Sequence, residues 1–342
     1  MIISSVKDII SQMIDHPLIP TQESATAFAP ANLELAKNWG YRNEALNLPM
    51  TSSLSLSLGD IGVTVNVSCA SDRLDQYCWN SCAIDLDSKF YNLLSKYLSY
   101  FRPAGRIFNV QFASNVNHYA GVDANCAAFA ALVKAFNQLF GWQLTNDKLS
   151  TLARFGYGAA CRSIWPGFVK WRVGHQMDGM DTCAVPIQKI WPDLCVGFVK
   201  VDRRHVRMMP VGEAMAASVK TSSDYELWPN KSRQVVQKVE QAIEDRNIAL
   251  LGYFIENHSI MMHAIIETAR PPIVYTCNET VEIRKQVWRM RRDKMAVFFT
   301  QDADPHLKLW FLKKDRDAVL AKLPEIKIIL PMQAKQQTGA MA

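Results

Sequence analysis

The sequence feature that most constrains the fold is a strict alternation of apolar and polar residues near the N-terminus. Residues 53–60 read SLSLSLGD, and residues 62–68 continue as GVTVNVS. Successive side chains of a β-strand point to opposite faces, so this period of two predicts strands with one buried face. The Gly59-Asp60 pair between the two runs is a turn signal and predicts a β-hairpin. The early part of the chain is therefore rich in β-structure.

Helical spacing appears further along the chain. Residues 127–141, AAFAALVKAFNQLFG, carry apolar residues at i, i+3, i+4 and i+7, which predicts a buried helix that ends at Gly141. The same patterns predict a helix over about 84–100 and strands over 106–114 and 195–202. After these come a helix over about 234–257, a second helix after residue 275, and strands at MAVFFT and LKLWFL. The predicted fold class is α+β.

The length of 342 residues exceeds what one typical hydrophobic core holds, so we expect two lobes. The predicted division is an N-terminal lobe over 1–200, a C-terminal lobe over 201–335 and a tail at 336–342. No apolar run reaches membrane-spanning length, and the first residues do not resemble a signal peptide. The eight cysteines lie scattered in apolar contexts, which is typical of reduced thiols. These features predict a cytoplasmic protein with no membrane partner and no metal site.

The charge pattern is uninformative about partners. A formal net charge of +6 is too small to indicate one by itself. The densest basic run, RKQVWRMRRDK at 284–294, has the spacing of a solvated helix face. Since no nucleic-acid-binding signature accompanies it, no nucleic-acid partner is predicted.

A glycine, a short polar stretch and an alanine-rich helix occur together in YAGVDANCAAFAALV, residues 119–133. The free N–H groups at a helix N-terminus bind phosphate, so this layout predicts a phosphate loop. Its members are Gly121, Val122, Asp123, Ala124 and Asn125. Unless magnesium or another cation intervenes, a carboxylate in such a loop is unfavourable, because two like charges about 4 Å apart repel by ~4 kcal/mol at an effective dielectric near 20.

Seven segments of the chain occur in the order and at the spacings of one family: APANLELAKNWGYRNEALNLPMTSS, YAGVDANCAAFAALV, FGYGAACRS, PGFVKW, DGMDTCAV, MMHAIIETARPPIVY and FFTQDADP. They resemble mevalonate diphosphate decarboxylases of the GHMP kinase superfamily. The corresponding motifs of that family are PxNIAxIKYWGKRD, NLPxNSS, GLASSAAG, GSGSACRS, GGFVxW, DSxAV, FHATCLDxxPPI and FDAGPNA. The resemblance covers residues 29–305. It implies a two-lobed GHMP-kinase-like fold, with a ribosomal-protein-S5-like N-terminal lobe, a ferredoxin-like C-terminal lobe and the site between them.

The resemblance also implies an activity. In that family, ATP phosphorylates the C3 hydroxyl of mevalonate 5-diphosphate; phosphate then leaves and carbon dioxide is lost, which forms isopentenyl diphosphate for isoprenoid biosynthesis. It therefore implies a phosphorylated mevalonate as the substrate, ATP and Mg²⁺ as cofactors, and a homodimer. Phosphate is the better leaving group, and its departure builds positive charge at C3 that the electrons of the breaking carboxylate bond neutralise.

Three catalytic residues carry over by alignment. The resemblance implies that Lys37 in LAKNWG faces the catalytic aspartate and a substrate phosphate, and that Asp302 in FTQDADP is that aspartate. It implies that Arg162 in ACRS positions the substrate carboxylate, for which a guanidinium fork has suitable geometry. Weaker candidates for substrate binding are Arg42, Ser52, Ser53, Asp181 and Thr182.

The departures from the family pattern concentrate in the nucleotide region. Ala124 and Asn125 stand where the family has two loop serines, and Asp123 replaces the alanine before them. Tyr157 and Ala159 replace two more serines. The loop thus keeps a helix N-terminus but loses hydroxyls that could bind phosphate or metal and gains a negative charge.

Two interpretations within the family stay open. One is an ATP-dependent decarboxylase with a divergent loop, in which Asp123 or Asn125 helps to hold magnesium. The other is an enzyme like the ATP-independent relatives that decarboxylate mevalonate 3,5-bisphosphate, whose substrate already carries its C3 phosphate and needs no nucleotide or Mg²⁺. Both release the C3 phosphate and carbon dioxide, leaving an isopentenyl phosphate or diphosphate.

Two interpretations lie outside decarboxylation. A GHMP small-molecule kinase would accumulate a phosphorylated C6 acid instead of a C5 alkene, and retention of Lys37 and Asp302 speaks against it, since mevalonate 3-kinases lack that pair. The other is a non-catalytic binding protein, whose function would not change when Lys37 or Asp302 is replaced.

Overall fold

The computed structural model describes residues 5–70, 74–202, 204, 206 and 208–332. The predicted tail at 336–342 lies outside these residues. Two β-sheets, with helices packed on them, divide the described chain into two lobes. The predicted α+β fold class is confirmed.

The first sheet is built from the N-terminal half of the chain. Six of its seven strands follow the order β6-β5-β7-β4-β8-β9, and the seventh, β1, pairs with β4. All pairings are antiparallel except β5 with β7. Its strands are β1 (Ser24–Ala36), β4 (Ser53–Ala70), β5 (Gln76–Trp79), β6 (Cys82–Ala83), β7 (Ile107–Ser114), β8 (Phe168–Trp171) and β9 (Ala184–Ile187), and a separate ribbon joins β2 (Tyr41–Asn43) to β3 (Leu48–Pro49).

The predicted hairpin at residues 53–68 is wrong, because both alternating runs belong to the single long strand β4. Strand β1 pairs with both halves of β4, so Gly59 and Asp60 do not reverse the chain. They lie in an irregularity of the ladder, where the register shifts between Pro30, which pairs with Gly62, and Asn32, which pairs with Ser57. Pro30 lacks the N–H that a regular ladder would use. Sequence alternation predicts strand but does not distinguish a turn from a bulge.

The helices of the first lobe are α1 (Val6–Ile14), α2 (Lys89–Ser99), α3 (Ala124–Leu139) and α4 (Asn146–Gly156). Helix α3 packs on β1 and β4 through its alanine-rich surface, and Gly141 follows it with a positive φ of 66°. The predicted helices over 84–100 and 127–141 and the strand over 106–114 are confirmed. The small-residue segment after Tyr157 forms a short 3₁₀ helix, Gly158–Ile164.

The second sheet is antiparallel, with the order β11-β12-β10-β13. Its strands are β10 (Leu194–Val199), β11 (Phe298–Gln301), β12 (Leu307–Leu312) and β13 (Lys327–Ile329). Strand β10 lies before residue 200 in the chain and pairs with β12 and β13 of this sheet. The division of the chain at residue 200 stays a prediction.

The helices of the second lobe are α5 (Val211–Thr221), α6 (Trp228–Glu244), α7 (Ile248–Glu267), α8 (Asn278–Arg292) and α9 (Arg316–Lys322). The single helix predicted over 234–257 is wrong, because α6 and α7 pack against each other as two helices. Arg246 takes a positive φ of 49°, and the Asn247 side chain accepts a hydrogen bond from Leu250 N, which starts α7.

Within the described residues, no helix combines the length and apolar character needed to cross a membrane. The cytoplasmic location stays a prediction.

Candidate active site

A cavity of about 360 Å³ is lined by residues of both lobes. The first lobe contributes Glu34, Asp123 and Arg162, and the second contributes Asp302 and Asp304. The three predicted catalytic residues converge here, since Arg162 and Asp302 line the cavity and Lys37 contacts Asp302 directly.

Asp302 lies directly after β11, and two buried lysines contact its carboxylate. Lys37 Nζ forms an ion pair with Oδ1, and Lys308 Nζ lies 2.9 Å from Oδ2. Both lysine side chains have 0% exposure, whereas the Asp302 side chain keeps 29%. Lys308 also lies 3.4 Å from the Asp304 carboxylate. The Asp302 carboxylate therefore lies between the cavity and two buried ammonium groups, each of which contacts one of its oxygens.

The two lysines determine the ionisation of Asp302. Burial raises the pKa of this carboxyl, but Lys308 and Lys37 outweigh it, so the pKa lies well below its ordinary value. Burial lowers the pKa of Lys308, and the carboxylates of Asp302 and Asp304 more than compensate, so its net shift is upward. At neutral pH, Asp302 is thus an ionised and weakly basic group.

Lys37 follows the last residue of β1 and is fixed by its surroundings. Its backbone N–H donates to His258 Nδ1 at 3.1 Å, and His258 Nε2 lies 3.0 Å from Ser232 Oγ. Burial, and secondarily the Lys37 charge, lower the pKa of His258 to about 3, so the ring is neutral. Because Nδ1 accepts, Nε2 carries the proton and donates to Ser232. This chain anchors the end of β1 to α6 and α7.

Arg162 lies in the 3₁₀ helix and is 1% exposed. Its Nε donates to Asn32 Oδ1 at 3.2 Å, and its Nη1 donates to Ser53 Oγ at 2.7 Å. The guanidinium lies 5.6 Å from the ring centroid of Trp171. Nη1 also forms an ion pair of 2.6 Å with Glu34 Oε1. Burial lowers the pKa of Arg162, but Glu34 offsets this and the net shift is upward.

The predicted phosphate loop leads into α3, and Asp123 is the N-cap residue of that helix. Asp123 Oδ1 accepts from the backbone N–H of Asn125 at 2.9 Å, and Asp123 Oδ2 accepts from the Tyr157 hydroxyl at 2.6 Å. Gly121 has a φ of 68°, and a Cβ there would collide with Lys308 Nζ and the Asp304 carboxylate. The loop therefore packs directly on the lysine and aspartate network of the second lobe.

Asp123 is accessible from the cavity, yet protein atoms crowd its carboxylate from the other sides. This crowding raises the pKa of Asp123 despite the hydrogen bonds from Tyr157 and Asn125. The negative charge of Asp123, followed by burial, raises the pKa of Tyr157 far above its ordinary value, so the hydroxyl remains a donor. Ala124 and Val122 flank this carboxylate in the loop, and Asn125 faces a second, open concavity beside Trp79.

The five weaker candidates for substrate binding are not among the residues that line the cavity. Four of them organise the loop at 173–182: Arg42 donates to Val173 O, Gln176 O and Thr182 Oγ1, Thr182 donates to Val173 O, Asp181 accepts from His175 N and Gln176 N, and Ser52 accepts from Val173 N. The fifth, Ser53, orients Arg162. Direct contact of these side chains with a substrate stays a prediction.

Two site residues were missed by sequence reasoning. Lys308 could have been noticed as a lysine inside the apolar strand LKLWFL. Glu34 could have been noticed because the family pattern PxNIAxIKYWGKRD has alanine at its position.

The comparisons with known proteins agree with the geometry. Residues 29–184 match a model of the diphosphomevalonate decarboxylase-like N-terminal domain, and residues 198–340 match a model of the mevalonate 5-diphosphate decarboxylase C-terminal domain. The chain belongs to the diphosphomevalonate decarboxylase family. Its GHMP-type fold is confirmed by solved structures of decarboxylases.

Among relatives of this family, the diphosphomevalonate decarboxylase of Candida albicans is 29% identical over 322 residues, which cover 88% of this chain and 87% of that protein. The crystal structure of mevalonate diphosphate decarboxylase from Staphylococcus aureus superposes with a TM-score of 0.84 at 29% identity, covering 90% of this chain and 95% of the other. These relatives are carboxy-lyases, so the predicted enzyme class is confirmed.

A further neighbour is the structure of MDDEF in complex with MVAPP, AMPPCP and magnesium. It has a TM-score of 0.82 and 28% identity, and the match covers 90% of this chain and 96% of the other. ATP and Mg²⁺ use is thus a property of the family.

Proposed function

We propose that this chain decarboxylates a phosphorylated mevalonate, with loss of the C3 phosphate and carbon dioxide, to give an isopentenyl phosphate or diphosphate. The single observation that carries the proposal is the ion pair between Lys37 and Asp302, which lie 265 residues apart, in the wall of a cavity that Arg162 also lines.

The chemistry needs positive charge where the phosphate leaves. The C3–O bond breaks with its electron pair on the phosphate, and the electrons of the C1–C2 bond form the C2=C3 double bond as carbon dioxide departs. Lys37 is close enough to the cavity to stabilise the leaving phosphate, while Lys308 continues to neutralise Asp302. Arg162 supplies a guanidinium for the carboxylate.

A second, finer proposal is that ATP is not the phosphoryl donor. The residues present fit a nucleotide poorly, because the Asp123 carboxylate lies at the N-terminus of α3 and already accepts from the Asn125 N–H, one of the groups that a phosphate there would use. Tyr157 donates to that carboxylate and occupies the place of a family serine.

The ionisation of Asp302 fits either route. In an ATP-dependent route, the Asp302 carboxylate would have to accept the proton of the C3 hydroxyl. A 3,5-bisphosphate has no such proton to remove. Asp302 would then act by orienting Lys37.

The test is release of carbon dioxide measured on two substrates. We expect release from mevalonate 3,5-bisphosphate without nucleotide, and much slower release from mevalonate 5-diphosphate with ATP and Mg²⁺. Release that requires ATP contradicts the bisphosphate proposal, and no release from either substrate contradicts decarboxylation altogether. The Asp302→Asn variant controls for contaminating activity.

Binding of ATP is a separate measurement. Repulsion of ~4 kcal/mol between Asp123 and a phosphate is enough to weaken a micromolar site to about millimolar. We therefore expect isothermal titration with Mg-ATP to detect no binding tighter than about 1 mM in the wild type, and at least about tenfold tighter binding in Asp123→Ser. The exposed Asp178, on the loop at 173–182, provides a control as Asp178→Ser. Micromolar binding by the wild type would contradict this prediction.

A further inference from the structure

The ion pair between Glu34 and Arg162 has no counterpart in the family pattern, where the position of Glu34 is alanine. Glu34 lies on β1 and faces the cavity, three residues before Lys37. Its Oε1 is 2.6 Å from Arg162 Nη1, which is direct contact between the two charged groups. A side-chain carboxylate of the chain itself is therefore bound to the guanidinium that the proposed function assigns to a substrate carboxylate.

The ion pair between Glu34 and Arg162 involves the one basic residue among the described residues that line the cavity. Among the cavity-lining residues that the structure describes, Arg162 is the single basic one, whereas four are acidic: Glu34, Asp123, Asp302 and Asp304. Lys37 and Lys308 are buried behind Asp302 and neutralise carboxylates there. As long as Glu34 holds Arg162, the cavity presents no free guanidinium to an incoming carboxylate.

The two partners differ in their freedom to move. Arg162 has a side-chain exposure of 2% and is held by Asn32, Ser53 and the Trp171 ring. Glu34 has a side-chain exposure of 23%, and its exposed part faces the cavity. A ligand that competes for Arg162 would therefore displace Glu34 and leave Arg162 in place.

We infer that Glu34 occupies the carboxylate-binding position of Arg162 in the free enzyme and competes there with the carboxylate of the substrate. This inference rests on the proposed function, because it takes Arg162 as the group that binds that carboxylate. Glu34 is then a specificity-determining residue: it lowers the affinity for carboxylate ligands and leaves ligands without a carboxylate less affected.

The experiment compares two probes that differ in the carboxylate alone. One is mevalonate 5-phosphate, and the other is 3-methylpentane-1,3,5-triol 5-phosphate, in which an alcohol replaces the carboxylate. Dissociation constants are measured by isothermal titration for the wild type, Glu34→Ala and Glu34→Gln. We expect Glu34→Ala to bind mevalonate 5-phosphate about tenfold more tightly and to change the triol phosphate by less than about twofold. Glu34→Gln keeps the size and a hydrogen-bond acceptor, so its gain is expected to be intermediate.

The ratio of the two affinities decides the outcome. An equal gain for both probes would be a general charge effect and would overturn the inference, as would weaker binding of mevalonate 5-phosphate by both variants. If Glu34→Ala does not fold, as judged by circular dichroism and thermal unfolding, Glu34→Gln decides alone. Because binding is measured without turnover, a wild type that binds mevalonate 5-phosphate but releases no carbon dioxide from any substrate contradicts the proposed function and leaves this inference standing.

Discussion

Replacement of Lys37 by methionine is expected to lower kcat for carbon dioxide release by about a thousandfold or more. The variant removes the ammonium that we propose stabilises the leaving phosphate, in a buried site where such a charge is strongly stabilising. Methionine fills much of the same volume, and Lys308 remains on Asp302, so the fold is expected to persist. The measurement is single-turnover release of carbon dioxide from mevalonate 3,5-bisphosphate, with thermal unfolding as a check on the fold.

Two further variants complete this experiment. Asp302→Asn should show a similar loss, because Lys37 then lacks the carboxylate that orients it. Lys170 is a partly buried lysine on β8 that pairs with Glu240 at 2.7 Å and does not line the cavity, so Lys170→Met should retain wild-type turnover. Turnover at the wild-type rate in both Lys37→Met and Asp302→Asn would remove the assigned catalytic residues.

Replacement of Lys308 by methionine is expected to lower kcat by about a hundredfold, with a small change in KM, and to introduce an acid limb into the pH profile. Lys308 does not line the cavity but contacts Asp302, so we expect it to act through Asp302. Its ammonium and that of Lys37 hold the pKa of Asp302 below the ordinary value against the effect of burial. With one ammonium gone, burial raises the pKa of Asp302, and activity should fall as the pH decreases through that raised value. The wild type should show no such limb above about pH 4.

The other groups around Asp302 must be considered in that pH profile. His263 Nε2 lies 3.1 Å from the Asp302 backbone carbonyl, and burial, followed by Arg284 and Lys37, lowers the pKa of His263 to about 3. Asp304 Oδ2 lies 3.4 Å from Lys308 Nζ, so it shares that ammonium with Asp302. The Asp304→Asn variant is the control. It removes the second carboxylate near Lys308, so the ammonium interacts with Asp302 alone, and activity should not fall at acidic pH. An unchanged profile in Lys308→Met would show that Lys308 is merely structural.

Local patterns predicted the elements that depend on local interactions. The apolar spacing of α3, its end at Gly141 and the alternation of β4 are properties of short segments, and both elements are present. The two wrong predictions of secondary structure concern residues at which the local sequence is compatible with two backbone conformations. Gly59-Asp60 became a bulge because β1 pairs on both sides of it, and Arg246 ended a helix that the apolar pattern alone continued.

The candidate site could be predicted from sequence only through the family resemblance. Nothing in the local pattern around Lys37 or Asp302 indicates that residues 265 positions apart form an ion pair. The resemblance identified them by alignment, together with Arg162. It could not identify Lys308 and Glu34 in the same way, since the role of each depends on which side chain lies opposite in this particular chain.

By itself, the sequence determined the fold class, the family and the loss of the loop hydroxyls, because these follow from residue types, spacing and order. The tertiary structure decided how the remaining charges pair. In the folded chain, two lysines form ion pairs with Asp302, Tyr157 donates a hydrogen bond to Asp123, and Glu34 forms an ion pair with Arg162. The physical reason is that the strength and sign of a charge interaction depend on distance and burial, and both are fixed only when the two lobes enclose the cavity.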